Sequence, residues 1–241
     1  MTPTHAMVLA AGLGTRMRPL SDSRPKPMID VAGKPLIDWA LDRLKGAGVA
    51  RVVVNLHYLG DQIKAHLQHR SAPSIRFKSE HPVLETGGGI ENALDELGAE
   101  PFFACNSDGL WLDGPINALT RLAQMWDDHA MDGILLLHDP KHALGYDGDG
   151  DFTLDKHGQL TRRQDGDDQA FVFTGVQLLH PRLFKEAPGG AYSLNILYNR
   201  ALAAGRLYGL VHDGQWFHVG TPEARDQTEA WMHANTLGRS A

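Results

Sequence analysis

The chain has 241 residues, 42% of them hydrophobic, and a formal net charge of -6. That suits one sizeable globular domain, and the acidic balance argues against nucleic acid or a membrane surface as partner. A single cysteine, Cys105, excludes an intramolecular disulfide. No window is long and apolar enough to span a bilayer, and the opening "MTPTHAMVLAAG" lacks the charged start and long apolar core of a signal peptide. A soluble cytoplasmic protein is the expectation, monomeric or a small homo-oligomer.

In chain order, "AMVLAA" (6–11) reads as a fully buried strand. "PLIDWALDRLKGAGV" (35–49) reads as a helix with Pro35 in its first turn and Gly46 and Gly48 closing it. "RVVVNLH" (51–57) is a second buried strand, "LGDQIKAHL" (59–67) a helix and "IRFKSE" (75–80) a strand. "GGGIENALDEL" (87–97) reads as a glycine-led helix, "PFFACNS" (101–107) as a buried strand, 115–127 as a helix and "GILLLH" (133–138) as a strand. After residue 139 the texture changes. "FTLDKHGQLTRR" (152–163) predicts a hairpin turning near Gly158, and "AFVFTGVQLL" (170–179) a long strand. A helix over 193–205, the strands "RLYGLVH" and "QWFHVG", and a closing helix from Pro222 follow.

Strands alternating with helices predict an α/β fold of Rossmann-like, doubly wound type, with a mostly parallel sheet covered on both faces. One domain over 1–241 is expected, with a nucleotide-binding half to about 139 and a small β-rich lobe with closing helices from about 140. Ligands of such sheets bind beyond the carboxyl ends of the strands. That puts residues 12–18, 80–89 and 107–109 on one rim.

The stretch "LAAGLGTRMRPL" (9–20) lies on that rim. It lacks the G-K-[ST] of a phosphate-binding loop, and Met17 breaks a dinucleotide fingerprint at its third glycine. Gly12 and Gly14 let backbone N–H groups approach an anion closely. Arg16 can clamp phosphate oxygens through its fork of donors. Arg18, Arg24, Lys26 and Lys34 follow, a local cationic patch in an acidic chain, with Lys26 held between two prolines.

"LAAGLGTRMRPL…RPKPM" resembles the L-x-A-G-x-G-T-R-x-x-P-L…P-K-P signature of sugar-1-phosphate nucleotidylyltransferases, and the likeness continues through "GKPLIDWAL", "LETGGG", "NSDG" and "WFHVGT". Within that family, L-E-T-G-G-G on a short chain is most similar to the N-acetylmuramate 1-phosphate uridylyltransferases of peptidoglycan recycling. Guanylyl and thymidylyl members share most of these motifs, so mannose-1-phosphate guanylyltransferase is the nearest alternative.

The resemblance implies that a nucleoside triphosphate, UTP in that subfamily, lies against Ala10, Ala11, Gly12, Gly14, Thr15 and Arg16, with Lys26. It implies that Glu85, Gly87 and Gly88 read the base, the glycines leaving room for a flat ring. Asn106, Thr174, Gly175 and Asn195 become candidates for the sugar phosphate. Asp108, at the end of a central strand, becomes the ligand for Mg²⁺. The implied catalytic residues are Arg16, Lys26 and Asp108.

One position departs from the pattern. The family's second metal aspartate is expected where this chain has His218. Imidazole suits softer divalent metals better than Mg²⁺. Three readings stay open: Asp108 and triphosphate oxygens hold Mg²⁺ with water; His218 binds a softer metal such as Mn²⁺; or His218 donates a hydrogen bond to a phosphate. The departure also motivates a reading of another class, a non-catalytic nucleotide-sugar sensor. "DGDGD" (147–151) fails the calcium-loop pattern at Phe152 and Gly158, so an acidic turn is expected there. Cys105, in an apolar strand, is expected in the core.

Overall fold

The computed structural model describes residues 2–167 and 169–237. The first part of the chain forms β1 (His5–Leu9), β2 (Asp30–Val31), β3 (Lys34–Pro35), α1 (Leu36–Gly46), β4 (Arg51–Leu56), α2 (Gly60–Leu67) and β5 (Ser74–Ser79). Then come α3 (Glu85–Glu91), α4 (Leu94–Leu97), β6 (Phe102–Asn106), β7 (Gly109–Leu112), α5 (Ala118–Met125) and β8 (Gly133–His138). The remainder forms β9 (Phe152–Leu154), β10 (Leu160–Arg162), β11 (Val172–Leu179), α6 (Asn195–Ala203), β12 (Leu207–Val211), β13 (Gln215–His218) and α7 (Pro222–Leu237).

Seven strands make one sheet in the order β12-β8-β11-β6-β1-β4-β5. Only β11 opposes its neighbours; the other pairs run parallel. Side chains alternate across each strand. Ala6, Val8, Val52, Val54, Phe103 and Cys105 pack with Ile37, Leu41, Ile63 and Leu119 of α1, α2 and α5. Met7, Val53, Phe102 and Ala104 pack with Ile90, Leu97, Leu197 and Tyr198 of α3, α4 and α6. Burial on both faces explains why these strands read as unbroken apolar runs.

Several boundaries differ from the sequence reading. Pro35 belongs to the β2–β3 ribbon, and α1 starts after it. The helix expected over 87–97 starts at Glu85 and is broken into α3 and α4. Most important, β11 and β12 do not form a lobe beside the sheet; they lie within it. Seven of the eight residues of β11 are buried, and a strand apolar on both faces needs the interior of a sheet.

Strand β7 was not foreseen. It pairs antiparallel with β13, setting Gly109 opposite His218 and Leu110 opposite Phe217. A third core of Met17, Leu36, Leu110, Phe217, Val219 and Met232 anchors this ribbon.

Candidate nucleotidyl-transfer site

The carboxyl ends of β1 and β6 meet a cleft of about 220 Å³, lined among others by Ala10, Gly12, Gly14, Lys26, Asn106 and Asp108, and by Glu85 and Thr86. After β1, Ala10 and Ala11 are buried, while Gly12, Thr15 and Arg16 are exposed. Gly14 takes φ 64° and leads into a single 3-10 turn over Thr15–Met17. Positive φ favours glycine, and a Cβ here would lie 3.0 Å from that of Lys26. The bare backbone therefore lets the Lys26 segment rest on the loop. Ser21 Oγ donates to the Gly14 carbonyl at 2.8 Å and holds the turn.

Lys26 is buried in its own turn between Pro25 and Pro27. Its Nζ donates to Asp108 Oδ2 at 2.8 Å, and the Asp108 side chain is 27% exposed. Burial pushes the Asp108 carboxyl up, but the Lys26 ammonium outweighs it, and with help from His218 holds the group below the usual carboxylate range.

The cationic patch is smaller than the sequence suggested. Arg18 pairs with Asp22 at 3.3 Å, Arg24 with Asp30 at 2.8 Å and Lys34 with Asp42 at 2.8 Å. Arg16 has no carboxylate partner among the described residues and is exposed on the loop beside the cleft, while Lys26 lines it.

Two polar residues missed in the sequence brace the site. Asn55 Oδ1 accepts the Ala10 N–H at 2.7 Å, and Asn55 Nδ2 donates to Glu80 Oε1 at 2.7 Å. Glu80 Oε2 accepts the Leu84 N–H at 2.9 Å. This buried chain ties the first loop to the start of α3. The available signal was an asparagine inside the apolar run "RVVVNLH".

The glycines of α3 do not form an open shelf for a base. A Cβ on Gly87 would lie 2.2 Å from the Tyr192 ring, and one on Gly88 2.0 Å from the Gly190 carbonyl oxygen. The space before them is filled by the segment leading into α6. Glu85 and Thr86 face the cleft instead, and Thr86 Oγ1 accepts the Leu194 N–H at 2.9 Å.

His218 is half-buried at the end of β13, its ring edge-on to Tyr146 at 6.1 Å. Burial lowers its pKa; Asp108 opposes this, while Lys26 and Arg16 add to it. The surroundings therefore favour the neutral imidazole.

The other candidates are scattered. Thr174 is buried, its hydroxyl donating to the Leu136 carbonyl at 2.8 Å, so it is not free for a sugar. Gly175 (φ 82°) sits at a bulge in β11, and a Cβ there would come 2.8 Å from Asn106 Nδ2; its backbone makes room for Asn106 at the cleft. Asn195 begins α6 and accepts from Arg162 Nη2 at 2.7 Å. The acidic turn is tied up: Asp151 Oδ2 accepts the Phe173 N–H at 2.8 Å. Cys105 is fully buried, and burial pushes its thiol up to about 12, as a core residue requires.

Among the described residues no group of three His, Cys, Asp or Glu could hold a metal ion. Asp108 offers a carboxylate oxygen at the cleft; of the two other carboxylates that line it, Glu80 is bonded through both oxygens to Asn55 and Leu84, and Glu85 begins α3. That donor set fits a divalent cation whose shell is completed by substrate phosphates and water. No helix among the described residues is long and apolar enough to cross a membrane.

A bare-backbone loop carrying Arg16, with Lys26 paired to Asp108 at the end of a mostly parallel sheet, defines a phosphate-handling site of nucleotidyltransferase type. Residues 6–212 match the model of the MobA-like NTP transferase domain, and the chain belongs to that family. It is 43% identical to an N-acetylmuramate alpha-1-phosphate uridylyltransferase of Caulobacter vibrioides, over 95% of this chain and 96% of that one. It is 38% identical to one of Neisseria meningitidis, over 94% and 99% of the respective chains. Mannose-1-phosphate guanyltransferase beta-A of Xenopus laevis is more distant, at 26%. The crystal structure of HddC from Yersinia pseudotuberculosis, complexed with GMP-PN, shares the fold with a TM-score of 0.74 at 22% identity, covering 95% of this chain and 99% of that one. These findings bear out the resemblance read from the motifs, and the chain is a nucleotidyltransferase.

Proposed function

We propose that the enzyme transfers a uridylyl group from UTP to N-acetylmuramate 1-phosphate, releasing pyrophosphate. The observation that carries the chemistry is the Lys26–Asp108 pair in a cleft roofed by the Gly12–Gly14 backbone. The substrates rest on near-full-length likeness to the two uridylyltransferases. A role in peptidoglycan recycling and a cytoplasmic location follow from that substrate.

In this reading the triphosphate lies along Gly12, Gly14, Thr15 and Arg16. The base rests by Glu85 and Thr86, and the sugar phosphate enters past Asn106 toward Asn195, in the half of the chain after residue 139. A phosphate oxygen of the sugar 1-phosphate attacks the α-phosphorus. The bond to the β-phosphate oxygen breaks, and its electron pair leaves with pyrophosphate. The nucleophile is already an anion, since phosphate monoesters have a second pKa near about 6, so no general base is required. The protein's task is to align two polyanions and neutralise the charge gathering on the leaving group. Arg16 is free to do this, and the triphosphate competes with Asp108 for Lys26. Asp108 would hold a divalent cation, Mg²⁺ or Mn²⁺, which supplies further charge neutralisation on the phosphates. In this reading His218 donates a hydrogen bond to a phosphate.

The test is pyrophosphate release with Mg²⁺, pairing UTP, GTP, dTTP and CTP with N-acetylmuramate 1-phosphate, glucose 1-phosphate and mannose 1-phosphate. Turnover confined to UTP with N-acetylmuramate 1-phosphate is expected. Turnover with another pair discards these substrates. Binding of a nucleotide sugar without turnover under Mg²⁺ or Mn²⁺ would make the protein a sensor.

A further inference from the structure

N-Acetylmuramate differs from N-acetylglucosamine by a lactyl ether that ends in a carboxylate. Neither Arg16 nor Lys26, assigned to phosphates, is available for that second anion. Arg162, on the β9–β10 hairpin, has the chemistry and the setting for it.

Its guanidinium is held by neutral groups. Nε and Nη2 donate to Asn199 Oδ1 at 3.1 and 3.0 Å, Nη2 also donates to Asn195 Oδ1 at 2.7 Å, and the group lies over the Phe152 ring at 4.5 Å. Among the described residues no carboxylate pairs with it, and Nη1 has no partner. Asp151, the carboxylate whose charge acts on it, already accepts the Phe173 N–H at 2.8 Å. Elsewhere in the molecule Arg43, Arg70, Arg121 and Arg182 each face a carboxylate. Arg162 is thus a partly buried cation fixed in orientation, near the charge of Asp151 but with no carboxylate paired to it among the described residues.

Its hairpin is joined to the carboxyl-end side of the sheet. Phe152, its partner across the hairpin, bridges to Phe171, just before Val172 pairs with His138 at the carboxyl end of β8. From the cleft the route is short. Thr86 at the cleft bonds the Leu194 N–H, and the next residue, Asn195, bonds Arg162.

We propose that Arg162 is the specificity residue that reads the lactyl carboxylate of the sugar, with Asn195 and Asn199 as the residues that position it. The inference rests on the substrate reading given above. The free Nη1 can give a carboxylate a charge-assisted hydrogen bond, and the pinned position of the guanidinium lowers the entropy lost on binding. Asn195 therefore acts through Arg162 and need not touch the sugar itself.

The experiment measures kcat/KM with UTP for N-acetylmuramate 1-phosphate and N-acetylglucosamine 1-phosphate, in the wild type, Arg162→Met and Arg162→Lys. A hydrogen bond to a charged group contributes about 1.5–3 kcal/mol, so the wild-type preference for the carboxylate-bearing sugar should fall about 10- to 150-fold in Arg162→Met. Arg162→Lys, which keeps the charge and loses the fork, should recover part of it. A preference unchanged in Arg162→Met overturns the assignment. So does an equal loss for both sugars, which would place Arg162 on the shared phosphate. A wild type indifferent to the carboxylate overturns the substrate reading itself. Since the readout is a ratio between two substrates, a partial loss of folded enzyme cancels. Should Arg162→Met yield no folded enzyme, Asn195→Ala with Asn199→Ala loosens the same guanidinium and must lower the same ratio.

Discussion

Lys26 Nζ lies 2.8 Å from Asp108 Oδ2, although 82 positions separate the two residues. One comes from a proline-flanked turn after β1 and the other from the turn after β6. The pair joins catalytic charge to folding: each side chain is the main compensation for the other in a mostly buried place. Lys26→Met should lower turnover by about 10²–10³, as loss of a transition-state charge clamp does. It should also lower Tm, because Asp108 is left without its counter-charge. A double-mutant cycle with Asp108→Asn, read by denaturant unfolding, should return a coupling energy of about 0.5–3 kcal/mol. A coupling near zero would remove the pair from the stability account.

Asp108 and His218 both make the fold less stable as pH falls, each in its own pH window. The Asp108 carboxyl titrates below its unfolded value of about 3.9, so its stabilisation is complete above that value and is lost as pH falls through the lower folded pKa. His218 has its pKa lowered by burial, so the unfolded state binds the proton more readily. The folded state is therefore penalised as pH falls below about 6.5. His218→Gln should gain stability relative to wild type between pH 6.5 and 5. Asp108→Asn should flatten the loss below pH 4. Melting curves across pH separate the two.

If His218 were a metal ligand, His218→Ala would abolish metal-dependent turnover. A hydrogen bond to phosphate predicts a smaller loss, on the order of 10-fold. Steady-state rates under Mg²⁺ and Mn²⁺ distinguish the two.

Asn55→Ala would leave the Ala10 N–H and one oxygen of buried Glu80 without partners. Each orphaned group costs about 1–3 kcal/mol, so a substantial fall in denaturation midpoint is expected. The KM for the triphosphate should rise more than that for the sugar phosphate, because Ala10 belongs to the nucleotide loop. Equal changes in both would contradict the bracing role.

Gly88→Ala meets a backbone carbonyl, whereas Gly87→Ala meets the Tyr192 side chain. Both should destabilise by about 1–3 kcal/mol through overpacking. Tyr192→Leu should relieve Gly87→Ala and leave Gly88→Ala as it is. Thermal melts of the two pairs test this.

The apolar runs of β1, β4, β6 and β8 were legible because a strand covered on both faces has few polar interruptions. The first motif, Lys26 and Asp108 were legible because charge and glycine at strand ends are locally encoded. Position in the sheet was not: nothing within "FVFTGVQLL" says that it lies antiparallel between β6 and β8. Strand β7 escaped because its four residues follow a turn and are stabilised by a partner over a hundred positions away. Glycines 87 and 88 were read as room for a ligand because sequence cannot tell space kept for a base from space filled by Tyr192 and Gly190. Arg162 carried no local mark; its lack of an acidic partner exists only in three dimensions.

The β7–β13 ribbon has a consequence for synthesis. Gly109, the residue after Asp108, finds its strand partner at His218, more than a hundred positions later in the chain. While the ribosome is still adding residues before β13, β7 has no mate, and Leu110 and Trp111 have no cover from Phe217 and Trp216. The nascent chain can gather its first strands early, but Asp108 is not set in its final frame until β13 has emerged as well.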